Sequence, residues 1–276
     1  MSELIKKIIK LVCKLKIGGW LISKIIILGR VLEFQYQKRN FDEQKYKKEL
    51  GTIVLNGYFK GMEYPFTKSL TSSYFPKIIG SYEFELNKVW ETIFSRKFST
   101  YIDIGCAEGY YAVGMGRKNP DSKILAFDTN SEAITLCKEL AAKNNVNNII
   151  YGSSISAIEL GNVCNEQKDC FILCDVDGYE KYLFNSENIN SFRNTTLLIE
   201  THDVFDIEIT GYLKSVFNAT HELTIIKSID DIEKAYTYGF GMNYDLLTKK
   251  ILFCEGRMAI QEWFYLAPKT SLNITL

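Results

Sequence analysis

From about residue 100 onward, the chain alternates between short apolar runs and longer stretches with helical spacing, and several of the runs end in an acidic residue. Such alternation is typical of α/β units, in which parallel strands are covered by helices. The sequence therefore predicts an α/β fold with a doubly wound, mostly parallel sheet. The predicted strands are residues 101–104, 124–127, 148–151, 169–175, 196–200, 222–226 and 263–266.

The first part of the chain has a different pattern. Residues 4–15 place apolar side chains on one helical face and lysines on the other, and residues 1–31 contain seven Lys and Arg against one Glu. No apolar stretch approaches the roughly 20 residues that a membrane span needs. Two interpretations remain open: a peripheral helix on the inner, anionic face of a membrane, or a helix that packs on the protein.

Composition narrows the class of protein. The chain has 276 residues and a formal net charge of zero, so we expect no nucleic-acid partner. Its seven cysteines form no C-x-x-C pair, and they predict reduced, buried thiols in a cytoplasmic protein. We expect a helical N-terminal region and lid over residues 1–85 and a catalytic domain over 86–276. An insertion at about 228–258 offers its aromatic residues to a substrate: Tyr236, Tyr238, Phe240 and Tyr244.

The stretch from Tyr101 to Asp128 carries the most specific signal. It reads as a strand, a glycine turn, a helix, a second strand and a final acid. Gly105 and Gly109 permit a sharp turn and close approach to a ligand, and the helix that follows points free N–H groups at that space. Asp128 is placed to accept hydrogen bonds from a ribose diol. The unit therefore predicts a site for a nucleoside-containing cofactor.

The loop itself indicates which cofactor. It reads G-C-A-E-G, with Ala107 and Glu108 where a dinucleotide site would have its middle glycine and its neighbour, and a carboxylate there repels a pyrophosphate. S-adenosylmethionine, which joins a ribose to a cationic amino acid, suits the loop better. Asp103 to Gly109 resembles the first motif of class I S-adenosylmethionine-dependent methyltransferases, and Asp128 resembles their ribose-binding acid.

A second resemblance is narrower. K-G-M-x-Y-P, G-S-Y-E and D-I-G-C-A-E-G-Y-Y resemble a branch of FkbM-like methyltransferases over roughly residues 57–227. This resemblance implies O-methylation of a sugar or natural-product hydroxyl. With both resemblances, the predicted cofactor-binding residues are Tyr82, Glu83, Asp103, Gly105, Cys106, Ala107, Glu108, Gly109, Asp128, Thr129, Ser154 and Asp175.

Acids also end two later strands, at Asp175 and Glu200, on the expected substrate side of the sheet. Two routes to an activated hydroxyl fit these residues. His202 takes the proton as general base, since its ordinary pKa near 6.5 suits neutral pH. Alternatively, Asp175, Asp177 and either Glu200 or Asp203 hold a divalent cation such as Mg²⁺, an arrangement that resembles the metal site of catechol-type O-methyltransferases. His221 opens a predicted strand and is expected to be structural.

Two other classes of function remain open. Asp175-Val176-Asp177 matches the D-x-D sequence with which glycosyltransferases hold a metal and a sugar nucleotide. That interpretation leaves Gly105 and Asp128 without a role. The chain is alternatively a non-catalytic adaptor at a membrane surface on a methyltransferase fold, but an adaptor has no need of the cofactor loop.

Overall fold

The computed structural model describes Lys24, Leu28, Gly29 and residues 41–65, 70, 73–167, 169–257 and 260–269. The chain divides into two compact units, residues 1–49 and 50–276. Helix α1 covers Glu43–Leu50 and ends at this boundary. The amphipathic helix predicted at residues 4–15 lies outside the described residues, and so does most of the predicted membrane-contacting segment 1–31. Among the residues described, no helix is long and apolar enough to cross a bilayer.

The second unit is built on one seven-stranded sheet. Its strands are β1 (Thr100–Ile104), β2 (Lys123–Phe127), β3 (Ile149–Gly152), β4 (Cys170–Cys174), β5 (Thr196–Thr201), β6 (His221–Lys227) and β7 (Glu262–Pro268). The order is β3-β2-β1-β4-β5-β7-β6. The pairs among β1–β5 are parallel, whereas β7 is antiparallel to both β5 and β6. The predicted α/β fold with a mostly parallel sheet is confirmed.

Helices connect the parallel strands, and their caps explain where they begin. The Asn130 side chain accepts from the N–H of Glu132 at the start of α5, and Ser156 and Glu159 form a capping box at the start of α6. The helices after α1 are α2 (Tyr74–Ile79), α3 (Asn87–Arg96), α4 (Tyr110–Lys118), α5 (Ser131–Lys143), α6 (Ala157–Glu166), α7 (Glu180–Leu183), α8 (Ile209–Phe217), α9 (Asp231–Thr237) and α10 (Leu246–Leu252). Phe84–Leu86 and Ile189–Phe192 form 3₁₀ helices.

The central strands are buried on both faces, as expected of parallel strands between two layers of helices. All five residues of β1 and of β4 are buried. Ile102 and Ile104 belong to one apolar core with residues of α6 and α8. Tyr101 points to the other face and contacts the rings of Phe98 and Phe171. Both faces of the central strands are covered, so a ligand site is expected at the carboxyl ends of the parallel strands.

The predicted insertion contains α9 and α10. Its four aromatic residues are not among those that line the cavity at the strand ends. Phe240 contacts the rings of Phe84 and Phe253, and Tyr236 is 76% exposed. Their contact with a substrate stays a prediction. Residues 255–257, just after α10, are the part that reaches the cavity described below. Residues 50–85 belong to the same compact unit as the sheet, and the proposed domain start at residue 86 stays a prediction.

Candidate active site

A cavity of about 870 Å³ lies at the carboxyl ends of β1, β2, β4 and β5, where open α/β sheets bind ligands. Its volume is within the range of about 300–1,000 Å³ that is usual for small-molecule sites. Most of the predicted site residues line it: Tyr82, Glu83, Gly105, Ala107, Asp128, Thr129, Ser154, Asp175, Asp177, Glu200 and His202.

The loop after β1 depends on glycine. Gly105 has φ 83°, and a Cβ atom there would lie 1.7 Å from the carbonyl oxygen of Asp175. At Gly109, φ is 92° and a Cβ atom would lie 2.4 Å from the sulfur of Cys137. The N–H groups of Gly105 and Cys106 both donate to the carbonyl oxygen of Phe127. The backbone is thus held tightly between its neighbours, and only glycine fits at these two positions.

Asp128 ends β2 at the cavity, and backbone N–H groups fix its carboxylate. Ala107 N–H donates to Oδ2 and Asn130 N–H to Oδ1, both at 2.8 Å. Ala107 itself adopts the left-handed conformation, with φ 45°. Each carboxylate oxygen has a second lone pair. Asp128 therefore faces the cavity in a fixed orientation and retains the capacity to accept from a diol.

Four of the predicted cofactor residues need correction. Glu108 is fully buried and contacts Lys77 and Tyr64, so its charge is neutralised inside the protein. Asp103 is also buried, and its Oδ2 has no hydrogen-bond partner in the described structure. Burial and the charge of Asp128 raise the pKa of Asp103 to about 8. Glu108 and Asp103, like Cys106 and Gly109, are not among the residues that line the cavity.

On the substrate side, three side chains converge. One donor atom from each of Asp175, Glu200 and His202 lies within 4.8 Å of the other two. His202 Nε2 is 3.4 Å from Asp175 Oδ1 and 3.7 Å from Glu200 Oε2. Glu200 and His202 are both 3% exposed. The ends of adjacent strands β4 and β5 bring these groups together.

Glu180 orients the histidine and was missed by the sequence analysis. It is fully buried, and its Oε1 lies 2.5 Å from His202 Nδ1. Asp177 and Gly178 both have positive φ, which turns the chain between β4 and α7. The only signal in the sequence is the run D-V-D-G-Y-E, where Glu180 follows the turn. Because Nδ1 is occupied, Nε2 is the nitrogen that faces the two carboxylates.

The surroundings change the expected role of His202. Burial alone lowers its pKa, but the hydrogen bond to Glu180 and the charges of Asp175 and Glu200 outweigh burial and raise the pKa to about 9. Burial raises the pKa of Asp175 to about 7 and that of Glu200 to about 8. In this arrangement His202 carries a proton at neutral pH. It is therefore not the ready general base predicted from its ordinary pKa.

The predicted metal set also changes. The Asp177 side chain is 72% exposed and 3.6 Å from His202 Nε2. It lines the cavity but does not belong to the group of three that Asp175 and Glu200 form with His202. Two carboxylates and an imidazole, with a carboxylate on the other imidazole nitrogen, are a donor set typical of divalent metal sites. The residues present therefore fit a cation that displaces the proton from His202 Nε2, with His202 in the place predicted for Asp177.

Arg257 joins the lid segment, β5 and the insertion. Its guanidinium donates to Glu83 and Glu200 at 2.8 and 2.7 Å, and to Glu255 at 3.0 Å. Burial raises the pKa of Glu83 to about 8 against the opposing charge of Arg257. The Tyr111 hydroxyl also donates to Glu83. No sequence pattern around Arg257 indicated that this residue lies in the cavity.

The cavity as a whole is acidic. Arg257 and His202 are the cationic side chains among its described lining residues, against seven carboxylic acids. Three of these acids, Glu83, Asp175 and Glu200, have raised pKa values and are partly neutral at pH 7. The other four still outnumber the two cationic side chains, so the lining disfavours phosphates and pyrophosphates and favours cationic ligands. The acids are Glu83, Asp128, Glu159, Asp175, Asp177, Glu200 and Glu255.

Residues 95–154, which contain β1, the glycine loop, β2 and β3, match the family model of a methyltransferase domain. Solved structures with a similar fold include a putative O-methyltransferase from Klebsiella pneumoniae, at 13% identity, TM-score 0.42, over 68% of this chain and 80% of that one. Another is an O-methyltransferase from Bacillus cereus in complex with SAH, at 12% identity, TM-score 0.40, over 54% and 74%. No curated protein matches the chain significantly.

The family match covers only part of the chain, and these structural similarities are weak. The resemblance to FkbM-like enzymes stays a prediction.

Proposed function

We propose that the chain is an S-adenosylmethionine-dependent methyltransferase that methylates a hydroxyl, most specifically that of a sugar or another natural product. One observation carries the proposal: a single cavity joins the Gly105 loop and Asp128 to the group of Asp175, Glu200 and His202. Asp128 accepts from the ribose diol, and the acidic lining suits the cationic sulfonium and ammonium groups. When bound, the cofactor supplies an electrophilic methyl group.

The residues on the substrate side prepare the acceptor. With a pKa of about 7, the Asp175 carboxylate is suited to take the proton of an acceptor hydroxyl near neutral pH. The charged His202 ring lies 3.4 Å from Asp175, and Glu180 holds that ring in place. Asp175 is then the proton acceptor, His202 stabilises its charge, and Glu180 is a positioning residue.

Asp175, Glu200 and His202 also fit a divalent cation such as Mg²⁺ or Mn²⁺. A bound cation would lower the pKa of a coordinated hydroxyl. Calorimetric titration with Mn²⁺ tests this second proposal. We expect His202→Gln and Glu200→Gln to weaken Mn²⁺ binding by at least about tenfold. Asp177→Asn is the matched control and should weaken binding less, because Asp177 lies outside the group of three. Equal losses in all three variants would restore the Asp177-containing set.

Binding of S-adenosylhomocysteine tests the function itself. We expect wild-type protein to bind it, and Asp128→Asn to bind it about tenfold more weakly, because the neutral amide is a poorer acceptor for the diol. Asp121→Asn, an exposed acid in the turn before β2, is the control and should bind normally. Folded protein that gives no binding heat would exclude a methyltransferase and favour the glycosyltransferase alternative. Binding without turnover on any acceptor would favour an adaptor.

A further inference from the structure

Exposed apolar side chains are concentrated on two segments beside the cavity: residues 179–182, which run into helix α7, and residues 204–207. Five of the fifteen large apolar side chains that are exposed among the described residues lie there, with exposed fractions of 52–83%. We call these five the apolar rim: Tyr179, Tyr182, Val204, Phe205 and Ile207. Tyr179, Val204 and Phe205 also line the cavity itself. The rim is thus continuous with the site that holds Asp175 and His202.

Ion pairs join the two segments that carry the apolar rim. Lys181 Nζ lies 2.9 Å from Asp206 Oδ2 and 3.0 Å from Glu208 Oε2. A Cβ atom on Gly178 would lie 3.1 Å from the Cβ of Phe205, so the segments touch there. The rim is therefore a preformed surface, and a ligand need not order it on binding.

The aromatic members of the rim are held in place beside the catalytic group. The rings of Tyr179 and Tyr182 stack with their centroids 4.8 Å apart. The Phe205 N–H donates to the carbonyl oxygen of His202 at 2.9 Å. Tyr179 and Phe205 also line the cavity, so a ligand ring that contacts them lies next to the site.

The negative charges near the apolar rim limit which ligands can bind there. Lys181 is the basic residue of the two segments that carry the apolar rim, and it forms ion pairs with Asp206 and Glu208. Asp177 is exposed beside it, and the cavity below has seven carboxylic acids against two cationic side chains among its described lining residues. An anionic acceptor, such as a sugar phosphate or an anionic lipid headgroup, would be repelled.

We propose that the acceptor is a neutral molecule whose hydroxyl adjoins a flat apolar ring, and that this ring rests on the apolar rim while the hydroxyl enters the cavity. The proposal rests on the proposed function, since it names the acceptor of the same site. Aromatic side chains bind flat rings through burial and ring–ring contact. The preformed rim and the acidic cavity thus select for an apolar ring and against a negative charge.

Three probes test the proposal on protein saturated with S-adenosylhomocysteine: phenyl β-D-glucopyranoside, methyl β-D-glucopyranoside and phenyl phosphate. We expect the phenyl glucoside to bind at least about tenfold more tightly than the methyl glucoside and the phosphate. The double variant Tyr179→Ser/Phe205→Ser should lose the preference for the ring. Tyr236→Ser is the control, because Tyr236 is also an exposed aromatic residue, at 76%, but does not line the cavity. Thermal unfolding verifies that all variants are folded.

The outcomes separate this proposal from the function on which it rests. Protein that binds S-adenosylhomocysteine but shows no preference for the phenyl ring overturns the proposal and leaves the methyltransferase function standing. A preference that survives in the double variant also overturns it. A dimer that dissociates in the double variant, with no ring preference, makes the rim an interface between copies of this chain. Protein that fails to bind S-adenosylhomocysteine at all rejects the proposed function and this inference with it.

Discussion

The two halves of the cavity are built by different means. The cofactor half, Gly105 to Asp128, is held by backbone: N–H groups fix the Asp128 carboxylate, and missing Cβ atoms let the chain turn. The substrate half is held by charge. Asp175, Glu200 and His202 are buried or half-buried ionisable groups in mutual contact, and Arg257 joins Glu200 to Glu83 and Glu255.

This difference determines what each half tolerates. In the cofactor half, a change of backbone conformation would disturb the site most, because main-chain N–H groups hold the Asp128 carboxylate. In the substrate half, removing one charge leaves others buried without compensation, which costs far more than the pair itself contributed. The predictions below follow from this contrast.

The largest effect is expected at Arg257. Arg257→Gln removes the guanidinium that contacts Glu83, Glu200 and Glu255. We expect the free energy of unfolding to fall by about 3–5 kcal/mol, as for other broken buried ion pairs. Urea denaturation monitored by tryptophan fluorescence measures it.

Arg96→Gln is the matched control for that experiment. Arg96 also forms an ion pair, with Asp169, but the two side chains are 48% and 41% exposed. We expect a loss of about 1 kcal/mol or less. Similar losses in both variants would contradict the view that buried charge holds the substrate half together.

A smaller loss is expected at Gly105. The left-handed conformation alone costs a non-glycine residue about 1–3 kcal/mol, and the new methyl group of Gly105→Ala would also meet the carbonyl oxygen of Asp175. We expect lower stability together with lost binding of S-adenosylhomocysteine. Gly239→Ala, where the structure places no atom within 4 Å of the new methyl group, should change neither. Unimpaired cofactor binding in Gly105→Ala would show that the backbone of this loop is not the binding element.

The smallest effect concerns the second histidine. His221 is buried, and its Nε2 lies 2.9 Å from the carbonyl oxygen of Thr195. Burial lowers its pKa below 6.5, whereas the carboxylates around His202 raise the pKa of that residue. Below pH 6.5 the unfolded chain binds a proton that folded His221 refuses, so its contribution to stability is lost as pH falls.

We therefore expect wild-type protein to lose stability relative to His221→Gln between pH 7 and pH 5, by at most about 1.4 kcal/mol per pH unit. Denaturation at several pH values measures the difference. A difference that stays constant with pH would mean that burial does not control the charge of this histidine, and the contrast with His202 would weaken.

The same contrast explains what the sequence could predict. The alternation of apolar runs and helical spacing predicts the strands of the sheet, and the stretch from Gly105 to Asp128 predicts the cofactor half, because those residues act on neighbours in the chain. Asp175 and Glu200 followed from the rule that parallel strands end at one edge. Local patterns were sufficient wherever the partner was backbone or an adjacent strand.

Local patterns failed where the partner was a distant side chain. Glu108 sits in the predicted motif, but Lys77, from a helix well before it in the chain, neutralises it inside the protein. The role of His202 changed because Glu180 and the strand-end acids surround it. Arg257 follows an insertion with no recognisable motif, and its contacts with Glu83 and Glu200 emerge only in three dimensions.

Because Gly105 has no side chain, the glycine loop lies very close to the backbone of Asp175. The Asp175 N–H donates to the carbonyl oxygen of Ile104 at 2.9 Å, and beside that bond there is no room for a single carbon atom at residue 105. A ligand that pushes the glycine loop therefore pushes the carboxylate that would take the proton. The glycine loop and the proposed proton acceptor thus follow two paired strands, β1 and β4, and the pairing of these strands sets the distance between them.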